Sequence, residues 1–526
     1  MLRRGLHACP ALSAIFLGAL AACGFQPLAL WPATLLGVAG LTALIAHARR
    51  GSSAALAGWF WGLGHFTLGD NWIATAFTYQ AKMPAWLGWA AVVALSLYLA
   101  LFPALGAWLG WIAARRARVA LIPALAAGWI VSEWLRGWIF TGFAWNPLAM
   151  AALGPFSQPG LAALAPWLGT YALSGLVVVL AGCWWAAARR ARRDARTLVL
   201  LALPALLLLW PGHIGPPDRV GKLAYTLVQP DFAQPTIDDP RFHAAHFATE
   251  AALSTPTAPG ERRLVLWPES GTPDLLRPGY PSGWYRIDTY AGDPAAARAQ
   301  LGAAIGPASV LLTGTTDLDF RGDALIGAGN VVTALDARGE ILGGYAKAHL
   351  VPFGEYLPMR WLLSPLGLAR LVPGDLDFLP GPGPRTLDLG GWGRAGVQIC
   401  YEIVFSGAVV DRAHRPDYIV NPTNDGWFGS WGPPQHLAQA RMRAIEEGLP
   451  VLRPTVNGIS AAIDADGIVR GYIARKVAGR LDGFVPPAHA PTLFSRLGNA
   501  LPLAWAGLLF LVALCLSQVA SRKRDG

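Results

Sequence analysis

Residues 1 to about 214 run as almost continuous apolar segments, and no other feature limits the fold of this chain as strongly. A segment in lipid must satisfy its own backbone hydrogen bonds, which confines it to helix or closed barrel. Each helical span needs about 20 apolar residues. On that count, spans fall near 9–24, 28–46, 52–75, 84–110, 119–139, 161–186, 197–214 and 499–520. Between the last two, residues 219–495 read as an ordinary soluble domain. The expected organisation is a membrane domain (1–214) with about seven helices, a soluble domain (219–495) and a final span within 497–520. Charged residues make up only 14% of the chain, against about a quarter in soluble proteins.

Charge placement gives the expected orientation. Arg3 and Arg4, Arg49 and Arg50, then Arg115, Arg116 and Arg118, fall at the N-terminus and after every second span. The pattern continues with Arg189, Arg190, Arg192, Arg193 and Arg196, and ends with Arg522, Lys523 and Arg524. Eight spans put all of these on the cytoplasmic side. Residues 219–495 then lie on the opposite side, which in a bacterium is the periplasm, and the chain sits in the inner membrane. The net charge of +10 resides at membrane edges, where Arg meets lipid phosphate, and this argues against a nucleic-acid partner. Gly-rich pieces such as GLGHF lie in spans and lack the Lys-Ser/Thr ending of a phosphate loop, so glycine there is read as permitting close helix packing.

The soluble part is punctuated by short β-rich runs: 223–229, 263–267, 309–314, 330–335, 395–400, 418–421 and 458–464. Helix-like stretches at 288–304 and 433–447 alternate with some of them, which predicts an α/β or layered α+β domain with buried strands. The segment between His349 and Pro380 is a Pro-broken, apolar excursion containing Trp361. It reads as a packed excursion or as an amphipathic flap that meets lipid.

Of five cysteines, Cys9, Cys23, Cys183 and Cys515 lie in or beside membrane segments, leaving Cys400 alone in the soluble part. A lone thiol is a weak nucleophile until a base removes its proton. A carboxylate such as Glu269, in LVLWPES, can do that. An ammonium such as Lys347, in GGYAKAHLVPFGEY, can stabilise a developing oxyanion. The N–H of Tyr401 adds a donor if Cys400 sits on a sharp turn. On residue types alone, each has a plain alternative: a packed cysteine, a surface Glu, a surface Lys.

The segments WPES, GGYAKAHLVPFGEYLP and ICYE resemble, in order, the three signatures of the nitrilase superfamily. Together with the spans they are similar to the apolipoprotein N-acyltransferase family over essentially the whole chain. The resemblance implies a multi-span α-helical bundle carrying a nitrilase-like four-layer (α-β-β-α) sandwich. It implies Glu269 as general base, Lys347 as electrostatic stabiliser and Cys400 as the nucleophile that takes an acyl group as a thioester. Glu355 would orient Lys347 and the substrate amine. Tyr401 and Glu402 would shape the pocket, with a salt-bridged supporting role as the alternative for Glu402. Asn330 occupies the place of a family Asn near the active site, or is a plain turn or edge-strand residue. NPTNDGWFG, with Trp427 and Phe428, resembles a mobile loop after the nucleophile. SEWLRGWIFTGFAWNP resembles a stretch beside the spans, so that Glu133, Arg136 and Trp145 line a lipid entry, or Glu133 and Arg136 form a structural pair. One departure is Asp238, where the family commonly has Trp.

The family reading implies a phospholipid acyl donor, attacked at its sn-1 ester, and a diacylglyceryl-modified apolipoprotein acceptor. It implies no cofactor or metal, and a monomer. Two alternatives stay open from the residues: a membrane-bound hydrolase of small C–N substrates, and a transporter or scaffold with a non-catalytic outer domain.

Overall fold

Alternating apolar residues set the architecture of the soluble part. Side chains along a strand point to opposite faces in turn. Leu227, Leu264, Leu266, Val310 and Leu312 therefore face one way, into a large shared core. Their neighbours Val228, Val265 and Leu311 face the other way, into a second core with Ala297, Leu301 and Ile305. The computed structural model that establishes this describes residues 9–79, 84–190, 194–212, 221–258, 260–366 and 377–525. Arg3, Arg4, Arg192, Arg193 and residues 367–376 of the Pro-broken excursion lie outside them.

Among the described residues, twelve strands form two six-stranded sheets. The first comprises β1 (Ala224–Gln229), β2 (Arg263–Leu266), β3 (Ser309–Arg321), β4 (Ala324–Asp336), β5 (Ile341–Ala346) and β12 (Gly479–Phe484), in the order β12-β1-β2-β3-β4-β5. The second comprises β6 (Thr386–Asp388), β7 (Arg394–Val397), β8 (Tyr418–Val420), β9 (Val451–Arg453), β10 (Ser460–Ile463) and β11 (Val469–Ile473), in the order β11-β10-β9-β8-β7-β6. Strands β1, β2 and β3 are parallel, as are β7, β8 and β9. The inner faces of both sheets share one core. Helices His243–Ser254 and Pro294–Ile305 cover the first sheet, and helix Gly432–Glu447 covers the second. The result is the α-β-β-α sandwich expected from the resemblance.

Among the described residues, four helices are long and apolar enough to cross a membrane: Trp86–Ala114, Arg118–Arg136, Leu161–Arg189 and Ala500–Arg522. Pro10–Ala22, Trp31–His47 and Ala195–Leu208 are apolar but shorter. Thirteen residues, as in Pro10–Ala22, rise only about 20 Å, less than the roughly 30 Å of a hydrocarbon core. Helix Gly51–Gly69 packs against Pro10–Ala22 at backbone contact: a Cβ on Gly18 would sit 1.8 Å from the Trp61 carbonyl oxygen, and one on Gly64 would sit 2.0 Å from that of Ile15. Glycine in these spans serves close approach, as the sequence suggested.

Helix 432–447 joins the two parts because it is apolar on two faces. Leu437, Ala440 and Ala444 pack into the sandwich core, and Ala438, Met442 and Ile445 pack into the core of the membrane bundle. Its polar residues are buried in the seam. Gln435 Nε2 donates to the carbonyls of Gln26 (3.0 Å) and Gly69 (3.2 Å), and Gln435 Oε1 accepts from Trp145 Nε1 (2.8 Å). Arg441 donates to the carbonyls of Gly154, Pro155 and Gln158 at 2.8–2.9 Å. Glu446 pairs with Arg443 (2.7 Å) and accepts from Ser406 Oγ (2.9 Å) and from the Thr170 N–H (2.5 Å), just past the break at Gly169 in the long membrane helix.

Breaking a buried pair by removing one partner typically costs on the order of 3–5 kcal/mol. Glu446→Ala should therefore lower the thermal midpoint in detergent markedly. Glu446→Gln, which keeps an acceptor for Ser406 and Thr170, should lower it less.

Candidate active site

The site lies where the C-terminal ends of the parallel strands of both sheets converge, the usual location for chemistry in such sheets. Glu269 follows β2, Lys347 follows β5, Cys400 follows β7, and Asn421 to Asp425 follow β8. The β7 strand ends at Val397, and Cys400 opens a single turn of 3-10 helix, Cys400–Val404, so it stands on a sharp bend. Its φ is +51°, a left-handed conformation that costs a non-glycine residue about 1–2 kcal/mol. Bonds at both ends of the residue hold it there. The Cys400 N–H donates to the Pro422 carbonyl (2.8 Å), and the Cys400 carbonyl accepts from Asn421 Nδ2 (3.2 Å) and His436 Nε2 (3.1 Å).

Lys347, 1% exposed, lies between two carboxylates. Its Nζ is 2.8 Å from Glu355 Oε1 and 3.4 Å from Glu269 Oε1. Asn330 Nδ2 bridges the same two oxygens, at 2.9 Å from Glu355 and 2.8 Å from Glu269. The other oxygen of Glu355 accepts from the Val351 N–H (2.7 Å), and that of Glu269 from the Asn424 N–H (2.9 Å). Asn330 is thus the clamp between the carboxylates, not an edge-strand bystander. Burial works against the Lys347 charge, but Glu355 and Glu269 outweigh it and hold the ammonium above the ordinary lysine value. Burial pushes the Cys400 thiol well above its ordinary value and Glu269 adds to this, while Lys347 pulls the other way without prevailing.

Glu402 has no ion pair within salt-bridge distance among the described residues. Its carboxyl accepts from the N–H groups of Ala348 (2.8 Å), His349 (3.0 Å) and Ile399 (2.8 Å) and from Tyr345 Oη (2.8 Å). It stitches the loop after Lys347 to the turn bearing Cys400. Burial raises it to about 7, against the pull of these donors and of Lys347. Tyr401, 4% exposed, stacks near Trp145 and points its hydroxyl at the Gly142 carbonyl (3.4 Å), so the turn bearing Cys400 rests on a loop of the membrane part.

Three residues expected along a lipid path, Glu133, Arg136 and Phe428, are buried. Glu133 and Arg136 are 6% and 2% exposed. Arg136 donates to the carbonyls of Phe143 (3.1 Å) and Trp145 (2.7 Å), and Glu133 accepts from the Leu148 N–H (2.9 Å) and Trp129 Nε1 (2.9 Å). They hold the 137–148 loop against the catalytic domain, because a charge beside lipid needs partners and the loop's free backbone supplies them. Phe428, 7% exposed, is wedged among Trp72, Trp145 and His436 and is an anchor, not part of a free loop. Trp427 is half-buried against Tyr79, while Trp361 is 78% exposed on the short helix Arg360–Leu363. Asp238 is exposed.

Sequence reasoning missed the network behind Cys400. His436, Asp425 and Arg453 are buried together, with His436 Nδ1 2.9 Å from Asp425 Oδ1 and 3.0 Å from Arg453 Nη2, and Arg453 paired with Asp425 at 2.9 Å. Polar residues in a helix whose apolar positions occupy two faces were the available signal.

Residues 17–184 match the family described as the apolipoprotein N-acyltransferase N-terminal domain, and residues 239–475 match the carbon-nitrogen hydrolase family. An amidase structure from Nesterenkonia sp. is 21% identical, covering 52% of this chain and 93% of its own, with a TM-score of 0.33. The apolipoprotein N-acyltransferase of Bradyrhizobium diazoefficiens is 34% identical over 96% of this chain and 94% of its own length. That of Rhodopseudomonas palustris is 35% identical over 98% of this chain and 95% of its own length. The chain belongs to the apolipoprotein N-acyltransferase family, membrane-bound acyltransferases of the nitrilase superfamily.

Proposed function

We propose that the chain transfers an acyl group from the sn-1 position of a phospholipid, through a thioester on Cys400, to the α-amine of the diacylglyceryl-cysteine that begins an apolipoprotein. The observation that carries this reading is the buried convergence of Glu269, Lys347 and Glu355 on the strained turn at Cys400. In the first half, Sγ attacks the ester carbonyl. A C–S bond forms, the C–O bond breaks, and the thiol proton passes through Glu269 to the departing lysophospholipid oxygen. In the second half, the neutral amine attacks the thioester. A C–N bond forms, the C–S bond breaks, and the amine proton returns through Glu269 to Sγ. Lys347 and the Tyr401 N–H stabilise the oxyanion in both halves. Asn330 and Glu355 position the base and the ammonium.

Charge supports this assignment of roles. Ionising the thiol to solvent would add a second negative charge to a buried cluster of one ammonium and two carboxylates. Passing its proton to Glu269 leaves the charge of the cluster unchanged.

Eight spans, with the 219–495 domain in the periplasm, put both lipid-anchored substrates beside the site. The chain works as a monomer on membrane lipid, because one set of these residues completes the cycle. Trp361 on the excursion contacts the acyl chains and Trp427 lies along their path. Trp361→Asp should slow acylation from phospholipid vesicles more than from a short-chain soluble ester.

Intact-protein mass spectrometry after incubation with bacterial phospholipid tests the central step. A hydroxylamine-labile increase of one fatty acyl mass is expected with Cys400 and absent in Cys400→Ala. A folded wild-type protein that takes no adduct from supplied lipid would overturn the acyl-enzyme and favour a small-amide hydrolase.

The raised thiol pKa has a definite sign. At any given pH less thiolate is present, so alkylation of Cys400 by iodoacetamide should climb only above the ordinary value of 9.0. Glu269→Gln removes a charge that raises the thiol, and should move that profile to lower pH. The same variant should slow thioester formation by about 10²–10⁴-fold, as expected for loss of a general base.

A further inference from the structure

We infer that His436 is a positioning residue that fixes the Cys400–Tyr401 peptide so that the Tyr401 N–H faces the reacting carbonyl oxygen. The inference rests on the acyl-enzyme reading above and adds a residue to it. A peptide unit is planar and trans, so its C=O and N–H point in opposite directions. Gripping the Cys400 carbonyl on one side aims the Tyr401 N–H to the other. His436 Nε2 lies 3.1 Å from that carbonyl. Because a carbonyl only accepts, Nε2 must carry the hydrogen whatever the charge of the ring.

The ring is braced so that it cannot swing away. Asp425 and Arg453 meet its Nδ1 at 2.9 and 3.0 Å, and Arg453 is itself held by Asn421 Oδ1 (2.5 Å) and Thr423 Oγ1 (3.1 Å). Asn421 closes the circuit by donating to the same Cys400 carbonyl (3.2 Å). His436, Arg453 and Asn421 are all 0% exposed. The neighbouring Gln435 is bonded to Gln26, Gly69 and Trp145, so the helix turn that presents the ring is fixed by the membrane bundle. A donor on the carbonyl also polarises the peptide and strengthens its N–H.

Two reactions of the same sulfur separate this role from simple support. Acylation by an ester develops an oxyanion, whereas alkylation by iodoacetamide displaces iodide at a methylene carbon and develops none. His436→Ala should slow single-turnover thioester formation from phospholipid by about 10²-fold, the usual cost of impairing one oxyanion donor. It should leave the alkylation rate of Cys400 within about threefold of wild type, and His436→Gln, which carries an amide donor on a side chain of similar reach, should recover most of the acylation rate. Equal loss of acylation and alkylation in His436→Ala would overturn the inference, since it would mean general collapse of the site. Acylation at the wild-type rate in His436→Ala, or identical behaviour of the Ala and Gln variants, would overturn it as well. Failure of the wild type itself to form the thioester would instead remove the acyl-enzyme reading on which it rests.

Discussion

A lysine ammonium taken out of water is costly to keep charged, and Lys347 is almost wholly buried. It is tolerated because two carboxylates reach its Nζ and because each of those carboxylates has further donors of its own. Those donors come from separate pieces of chain: Asn330 on β4, Val351 in the loop after β5, and Asn424 after β8. Satisfying one buried cation therefore draws together both sheets and two loops. Removing any member would leave a charge unpaired in a low-dielectric site, the situation that proteins avoid most strictly. The same constraint that orders the domain also orders the groups around Cys400.

A second constraint acts across the seam between the sandwich and the membrane bundle. Helix 432–447 has no solvent face, so its polar side chains must find partners inside. Arg441 finds three carbonyls of an irregular stretch of the membrane part, Glu446 finds the backbone N–H exposed by the break at Gly169, and Gln435 finds one carbonyl in the loop after Pro10–Ala22 and one at the end of Gly51–Gly69. In each case a backbone group in one part answers a buried side chain in the other. Arg136 and Glu133 act within the membrane part, bonding a loop that in turn supports Tyr401. The turn bearing Cys400 is thus set by both parts at once.

Much of this was legible in the sequence, for physical reasons that can be named. Strands buried on both faces leave short apolar runs, so 263–267, 309–314 and 418–421 announce themselves. The excursion at 288–304 reads as one helix, yet Gly292 and Pro294 divide it: helix Ser282–Asp288 ends early, and Asp293 caps a new one at Pro294–Ile305. Strands β5, β6, β9, β11 and β12 escaped notice because none of them carries a sustained apolar run: glycine or charged residues interrupt each one or border its few apolar residues. Cys400, Glu269 and Lys347 were found through ordered segments, and Glu355 and Asn330 with them. His436, Asp425 and Arg453 were not connected, since their proximity is created only by folding β8, β9 and helix 432–447 together. The inward partners of Arg136 and Phe428 were not legible, because sequence shows that a residue lies near a membrane edge but not which way its side chain turns.

Burial and the adjacent Glu269 give Cys400 a resting state that suits its proposed setting. Reactivity of a thiol, including its oxidation, follows the thiolate fraction, and here that fraction is suppressed. In the proposed periplasmic setting the compartment is oxidising, and a low-pKa thiol would be lost there. Keeping the proton on sulfur until an ester carbonyl is in place avoids that loss, and a base in the same buried cluster removes the need for a free thiolate. The cost is that the proton, the base and the oxyanion donors must be aligned at the moment of attack. A turn held at +51° by bonds to both ends of one residue supplies that alignment before any substrate arrives.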